Sequence, residues 1–335
     1  MFVKKSHFSS GLFGGMLILA APLCMAEEKT VTADQVVSAL ERTFGDHPGE
    51  RRNHIKGTCA TGEFVGLPEA RLYSRSVLFS GKSLPVVARF SLPGGNPKVP
   101  DTARIPRGLA LEFRLPDGGL QHMTMLNTPV FGAASPQTFL DDIVAKRPDP
   151  ATGKPDPEKI KAFKASHPDS LPQAEFLAKN NPPTNWANSS YFGIHAFKFV
   201  NSENKTTLVK WRFVPQEGEK RLSDDEMKSA APDFLEQKLI ERIKLGSIHW
   251  DMMLMIGVPG DPEDNPTLSW PSDRKEIKAG ALTLTSASPQ KGAECERINF
   301  DPLVMANGIE PTKDPILLFR SPAYAISFGK RMSGH

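Results

Sequence analysis

Two side chains near the end of the chain are spaced for chemistry. Arg320 and Tyr324 lie four residues apart in Ile316-Leu317-Leu318-Phe319-Arg320-Ser321-Pro322-Ala323-Tyr324, and on a helix that spacing puts both on one face, within reach of each other. A guanidinium beside a phenol favours the phenolate, and a phenolate is a hard-anion ligand for ferric iron. Tyrosine is scarce here, with 3 in 335 residues. The same spacing also occurs on ordinary surface helices, so other residues must support the pair.

Arg89 is the next residue of interest. It stands in Leu84-Pro85-Val86-Val87-Ala88-Arg89-Phe90-Ser91-Leu92, apolar apart from Arg89 and Ser91. In a strand, alternation puts Val87, Arg89 and Ser91 on one face and Ala88, Phe90 and Leu92 on the other. A charge there either lies on an exposed face or meets a buried anion, because an unpaired buried guanidinium is costly. His54 follows Arg51 and Arg52 and precedes a glycine-punctuated strand. His195, in Phe192-Gly193-Ile194-His195-Ala196-Phe197, reads on its own as a core histidine satisfied by backbone. His47, His122, His167, His249 and His335 read as surface or core histidines with no pair at metal-ligand spacing, and Met123, Met125, Met252, Met253 and Met255 lie in strands and read as packing or as facing a pocket rim.

The elements that must position these residues are legible in outline. Thr32 or Asp34 can cap a helix over 35–44. A strand ends near Val65, a second covers 84–92, and 109–115 and 120–126 flank a Pro116-Asp117-Gly118-Gly119 turn. A short helix covers 137–146, and helical pieces lie near 157–166 and 173–179. The spacing predicts a hairpin-like pair over 191–200 and 207–214, helices over 224–230 and 232–244, and strands over 252–258, 281–285 and 292–300. Roughly eight strands, mostly consecutive, predict an α+β chain built on an antiparallel barrel with helical insertions, followed by the helix of Tyr324.

Composition bounds the rest. Lys4 and Lys5, an apolar run from Gly11 to Ala21 and the sequence to Ala26 read as a signal peptide cleaved after residue 26, too short to span a bilayer. Cys24 is a poorer lipid-attachment site because Leu23 precedes it. The expected organisation is a leader over 1–26 and a single domain over 27–335, exported to the periplasm with no membrane span. With 41 basic and 38 acidic side chains, the chain is nearly neutral once Lys4 and Lys5 are lost. No basic run tracks phosphates, which argues against nucleic acid as a partner. Cys59 and Cys295 remain after export, and their spacing leaves a disulfide and two buried thiols equally open.

Taken together and in order, these segments resemble the haem catalase family, in particular its short branch, the catalase-related peroxidases. The resemblance runs from about Arg51 to Arg331. It rests on Glu50-Arg51-Arg52-Asn53-His54-Ile55-Lys56-Gly57, Val87-Ala88-Arg89-Phe90-Ser91, Asp101-Thr102-Ala103-Arg104-Ile105-Pro106-Arg107-Gly108, Asn127-Thr128-Pro129-Val130-Phe131 and Arg320-Ser321-Pro322-Ala323-Tyr324. It implies haem b as cofactor, with Tyr324 as the iron ligand, Arg320 keeping that ligand ionised, and His195 and Asp314 behind Arg320. It implies that Arg51, Arg89 and Arg331 meet the haem propionates, and that Phe131, Phe139 and Phe300 line the macrocycle. On the opposite side it implies His54 as the base that moves a peroxide proton, held by Ser91.

Two departures bear on activity. Catalases carry two asparagines before Thr-Pro, and here the first position is Leu126, with only Asn127 kept. Asn53 stands where an apolar residue is usual and is expected to take over part of the missing amide's role. The chain also ends at His335, soon after Tyr324, without the wrapping segment and helical domain of full catalases. The resemblance therefore implies a peroxidase that reduces hydrogen peroxide or small organic hydroperoxides with a small organic reductant, with weak catalase activity, as a monomer or small homo-oligomer. The alternatives are a haem carrier without turnover and a hydroperoxide-rearranging relative. The family barrel also brings its first and last strands together, which implies a Cys59–Cys295 disulfide.

Overall fold

The strands are β1 (Gly57–Gly66), β2 (Ser83–Ser91), β3 (Gly108–Arg114), β4 (Leu120–Leu126), β5 (Tyr191–Phe192), β6 (Phe197–Val200), β7 (Thr206–Pro215), β8 (Ile248–Ile256), β9 (Glu276–Pro289) and β10 (Ile309–Pro311). This is a computed structural model, and it describes residues 1–7 and 30–335. Residues 1–7 have no regular structure, and the rest of the predicted leader lies outside the described residues. Residues 31–335 form one unit.

The ten strands of the described residues belong to one antiparallel sheet, and β1, β2, β3, β4, β5, β7, β8 and β9 close into a ring because β9 pairs back onto β1. This is the eight-stranded barrel that the strand pattern predicts. β6 and β10 continue the sheet from the first half of β7. One face of each strand fills the barrel. Phe64, Phe90, Phe113, Phe213 and Trp250 are wholly buried there, with Phe64 and Phe113 edge to face at 5.1 Å.

The other face of β2, β3 and β4 is covered by helices. α1 (Ala33–Phe44), α2 (Pro136–Ala145), α3 (Pro157–Ser166) and α4 (Leu171–Lys179) are followed by α5 (Asp224–Ser229), α6 (Phe234–Lys244), the single-turn α7 (Glu294–Arg297) and α8 (Pro315–Met332). α1 begins with a capping box, Thr32 and Gln35 satisfying each other's backbone N–H. Its Val36, Ala39 and Leu40 pack with Ile143 of α2 and Phe319 of α8.

Three strand predictions need correction. Residues 191–200 do not form one strand: β5 and β6 are separated at Gly193–Ala196, where a Cβ on Gly193 would stand 2.6 Å from the Trp211 indole nitrogen. That break frees His195 from the sheet. Residues 292–300 contain α7 and irregular backbone rather than a strand; their carbonyls are taken by an arginine instead of a neighbouring strand. β10 was not predicted, since three residues ending in Pro311 carry no alternation to read. β8 and β9 are also longer than predicted.

Candidate active site

The strand register lays out the site. Cys59, Arg89, Ala110 and Thr124 face one another in one row across β1 to β4, and Gly57, Ser91, Gly108 and Leu126 form the next row. Both rows point away from the barrel interior, toward α1, α2 and α8. A cavity of about 780 Å³ lies there, lined from the barrel by Arg89, Ser91, Gly108, Ala110, Thr124 and Leu126.

From α8 the cavity receives Arg320, Tyr324 and Arg331. Asp314 caps this helix: its Oδ1 accepts from the Ile316 and Leu317 N–H groups at 2.8 and 3.2 Å, a contact of a type that stabilises a helix by about 1 kcal/mol. Its Oδ2 accepts from His195 Nδ1 at 2.7 Å. The other imidazole nitrogen, Nε2, accepts from Arg320 Nη1 at 3.1 Å, which makes His195 a neutral imidazole with its proton on Nδ1. Burial, the largest influence, likewise lowers the His195 pKa, against the pull of Asp314. Arg320 Nη2 donates to the Tyr324 hydroxyl at 2.8 Å. Tyr324, Arg320, His195 and Asp314 are thus one continuous chain of hydrogen bonds, each member orienting the next.

His54 lines the same cavity from the loop before β1. Its backbone is left-handed, with φ 56°, a strained setting for a non-glycine residue. Two contacts hold it. Asn53 Oδ1 accepts from the His54 N–H at 2.9 Å and the Gly94 N–H at 2.6 Å, and Arg89 Nη2 donates to the His54 carbonyl at 2.7 Å. The imidazole Nδ1 lies 2.9 Å from Ser91 Oγ. A Cβ on Gly108 would stand 3.1 Å from His54 Cε1 and 2.9 Å from Ser91 Oγ, so glycine gives the ring its seat. Burial, followed by the charges of Arg89, Arg320 and Arg51, depresses the His54 pKa to about 3, leaving a neutral base across the physiological range. Asn53 also lines the cavity, but its carbonyl oxygen is committed to the loop, which leaves only Nδ2 for a ligand.

Arg51, Arg89 and Arg331 all line the cavity, and among the described residues none of them forms an ion pair. Arg51 Nη2 donates to the carbonyls of Cys295, Glu296 and Ile298. Arg89 is 3 % exposed and shares Gln290 Oε1 through Nε and Nη2. Arg331 reaches the Ile298 carbonyl through Nη2, while its Nη1 is buried and has no partner among the described residues. Burial lowers the pKa of all three, and the charges of Arg89 and Arg331 add to the effect on Arg51. Clustered, desolvated guanidiniums with an orphan N–H fit an anionic ligand bearing more than one carboxylate.

Apolar lining completes the cavity. Phe131 and Phe139 lie 5.7 Å apart at one side, and Phe300 packs on His122 at 5.8 Å. Leu126 presents an aliphatic surface beside Gly108. Asn127 does not substitute for it: its Oδ1 accepts from the Arg107 N–H at 2.7 Å, turned into the protein. Haem therefore fits the residues present: a phenol for the iron, guanidiniums for the propionates and aromatic walls for the ring. Sequence reasoning missed Val36 and Leu40 of α1, Phe319 and Phe328 of α8, Gly108 and Gln290. The apolar face of α1 and the four-residue step from Tyr324 to Phe328 were the available signals for Val36, Leu40 and Phe328; Gly108 stood in the Asp101–Gly108 motif without a role, and nothing local marks Phe319 or Gln290.

Comparison with known proteins identifies the family. A family model described as catalase matches residues 30–335. The chain is 63% identical over 304 residues to a catalase-related peroxidase of Synechococcus elongatus, covering 91% of this chain and 90% of that protein. It is 31% identical over 298 residues to a catalase-related peroxidase of Mycolicibacterium paratuberculosis, covering 89% and 94%. A solved bacterial catalase superposes with a TM-score of 0.78 at 28% identity, covering 86% of this chain, which spans 58% of that longer protein.

Proposed function

The chain belongs to the catalase family, and from that premise we propose that it is an exported haem b peroxidase. It is an oxidoreductase acting on peroxide. Its substrates are hydrogen peroxide or small organic hydroperoxides, its electron donor is a small organic reductant, and its catalase activity is weak. The observation that carries this reading is that one cavity holds both the Tyr324–Arg320–His195–Asp314 chain and the His54–Ser91 pair.

Tyr324 would hold the haem iron, Arg51, Arg89 and Arg331 would hold the propionates, and Phe131, Phe139 and Phe300 would border the ring. The bound haem would supply an oxidisable iron centre. Arg320 donates from Nη2 to the Tyr324 oxygen and fixes its position in the cavity. The neutral His195 gives Arg320 an acceptor, and Asp314 fixes the tautomer of His195. With the proton on Nδ1 and donated to Ser91, His54 Nε2 offers its lone pair to the cavity. It can take a proton from one peroxide oxygen and return it to the other as water leaves. His54 is the catalytic residue here; Ser91, Arg89 and Asn53 position it.

Weak catalase activity follows from Leu126. Oxygen release needs a second peroxide held beside the first, and an aliphatic side chain offers it no hydrogen bond. Export is supported by the charged, then apolar, then small-residue order of residues 1–26 and by the Cys59–Cys295 disulfide, which suits an oxidising compartment. Absorption spectra of the purified protein and of Tyr324→Phe test the reading. The wild type should show high-spin ferric haem with a tyrosinate ligand and oxidise an organic donor when peroxide is added. A colourless wild type, or an unchanged spectrum in Tyr324→Phe, refutes it.

A further inference from the structure

We infer that the Cys59–Cys295 disulfide positions the arginine cluster and thereby sets how tightly the protein holds the carboxylate edge of its cofactor. The inference rests on the haem reading above and goes beyond it.

The bond closes a separation of 236 residues, with the Cα atoms 5.6 Å apart. Cys59 lies in β1 directly opposite Arg89 of β2. Cys295 lies in α7, a single turn with no side-chain cap at its N-terminus. The Cys295 and Glu296 carbonyls, with that of Ile298 just beyond, all accept from Arg51 Nη2, at 3.0, 3.1 and 2.8 Å. The Ile298 carbonyl also meets Arg331 Nη2 at 3.4 Å. One covalent link therefore joins the strand beside Arg89 to the segment that anchors Arg51 and Arg331. Both cysteines are buried, at 3% and 0% exposure, and pack with Val87 and Phe300.

Such a tie has a physical purpose. Buried guanidiniums repel one another, and without an ion-pair partner the protein must hold them together by other means. Between β9 and β10 the chain holds one helical turn, α7, and no strand. The backbone bonds around α7 are local, Ala293 N–H to the Gln290 carbonyl and Glu296 N–H to the Ala293 carbonyl, so the disulfide adds a long-range tie to it. Fixing it to β1 lets the arginines meet a dianionic ligand without ordering anything at the moment of binding.

The test is cofactor release from the holoprotein, loaded either with iron protoporphyrin or with its dimethyl ester, which lacks the propionate charges. Transfer to an excess of a haem-scavenging apoglobin is followed by absorbance. Cys59→Ala/Cys295→Ala should release iron protoporphyrin about tenfold faster or more than wild type, as lost preorganisation implies. With the ester the two proteins should differ by no more than about twofold, since no charge reaches the arginines. Should the variant not fold, wild-type holoprotein reduced in place by a phosphine, with both thiols confirmed by titration, takes its place under the same expectations. Equal release of iron protoporphyrin overturns the inference, as does an equal acceleration with the ester, which would mark a purely general stabilising role. A wild type that never takes up the cofactor overturns both this inference and the function it rests on, and is recognised because the disulfide-bearing protein itself fails to load.

Discussion

Arg89 donates from Nη2 to the backbone carbonyl of His54 at 2.7 Å. The residue proposed to meet the cofactor's carboxylates thus also holds His54, the proposed base, in its left-handed backbone conformation. The contact needs a glycine at position 57, where a Cβ would stand 2.5 Å from the same guanidinium nitrogen. Gln290 completes the bracket by accepting from Arg89 and donating through Nε2 to the Ile55 carbonyl at 2.8 Å.

Arg89→Leu should therefore damage two functions at once. Loss of hydrogen bonds donated by a charged group to neutral acceptors costs about 1.5–3 kcal/mol. Haem release should quicken, and the peroxide reaction of protein that still holds haem should slow. Stopped-flow mixing with peroxide separates the two effects, and a change in haem release alone would show that the carbonyl contact is incidental.

His54→Gln should retain the absorption spectrum set by Tyr324 and lose about 10²- to 10⁴-fold in the rate of reaction with peroxide, the usual span for a lost general base. Ser91→Ala should lose about tenfold, as an orienting partner does. Gly108→Ala should resemble Ser91→Ala with the fold intact, because its new methyl group would press on both members of the pair.

Leu126→Asn would place an amide in the row that holds Gly108 and Ser91. Oxygen release should rise by about tenfold, the scale of one added hydrogen bond, while donor oxidation is little changed. An oxygen electrode and a chromogenic donor read the two rates. Oxygen release in the wild type already as fast as in a typical catalase would sink the argument from Leu126.

Stability should depend on pH in a defined direction. An unfolded histidine titrates near 6.5, whereas folding lowers the His54 pKa to about 3 and also lowers that of His195. Between those limits the unfolded chain binds more protons, so stability rises with pH across that window, is fully present above about 6.5 and is lost as pH falls toward 3. Urea unfolding of the apoprotein from pH 4 to pH 7 should show the rise, and His54→Gln should flatten it. An unchanged slope in that variant would remove His54 from the account.

The sequence by itself determined what depends on near neighbours. Arg320 and Tyr324 meet because a helix returns to the same face after four residues, and Arg89 and Ser91 share a face because a strand alternates. The barrel was legible from strands joined in succession, and the order of motifs carried the resemblance to a haem family. Tertiary structure decided everything that joins distant segments. His195 reaches Asp314 only because β6 and β10 pair and bring the start of α8 beside the break at Gly193. Gln290 meets Arg89, and Cys59 meets Cys295, because β9 closes onto β1. Residues 292–300 read as a strand in isolation, yet their carbonyls are claimed by Arg51, whose position the local sequence does not encode. Asn53 shows the same limit: its residue type suggested a ligand contact, and the folded loop spends its carbonyl oxygen on the backbone of His54 and Gly94. Local periodicity specifies faces and spacings; which faces meet is set by how the sheet closes.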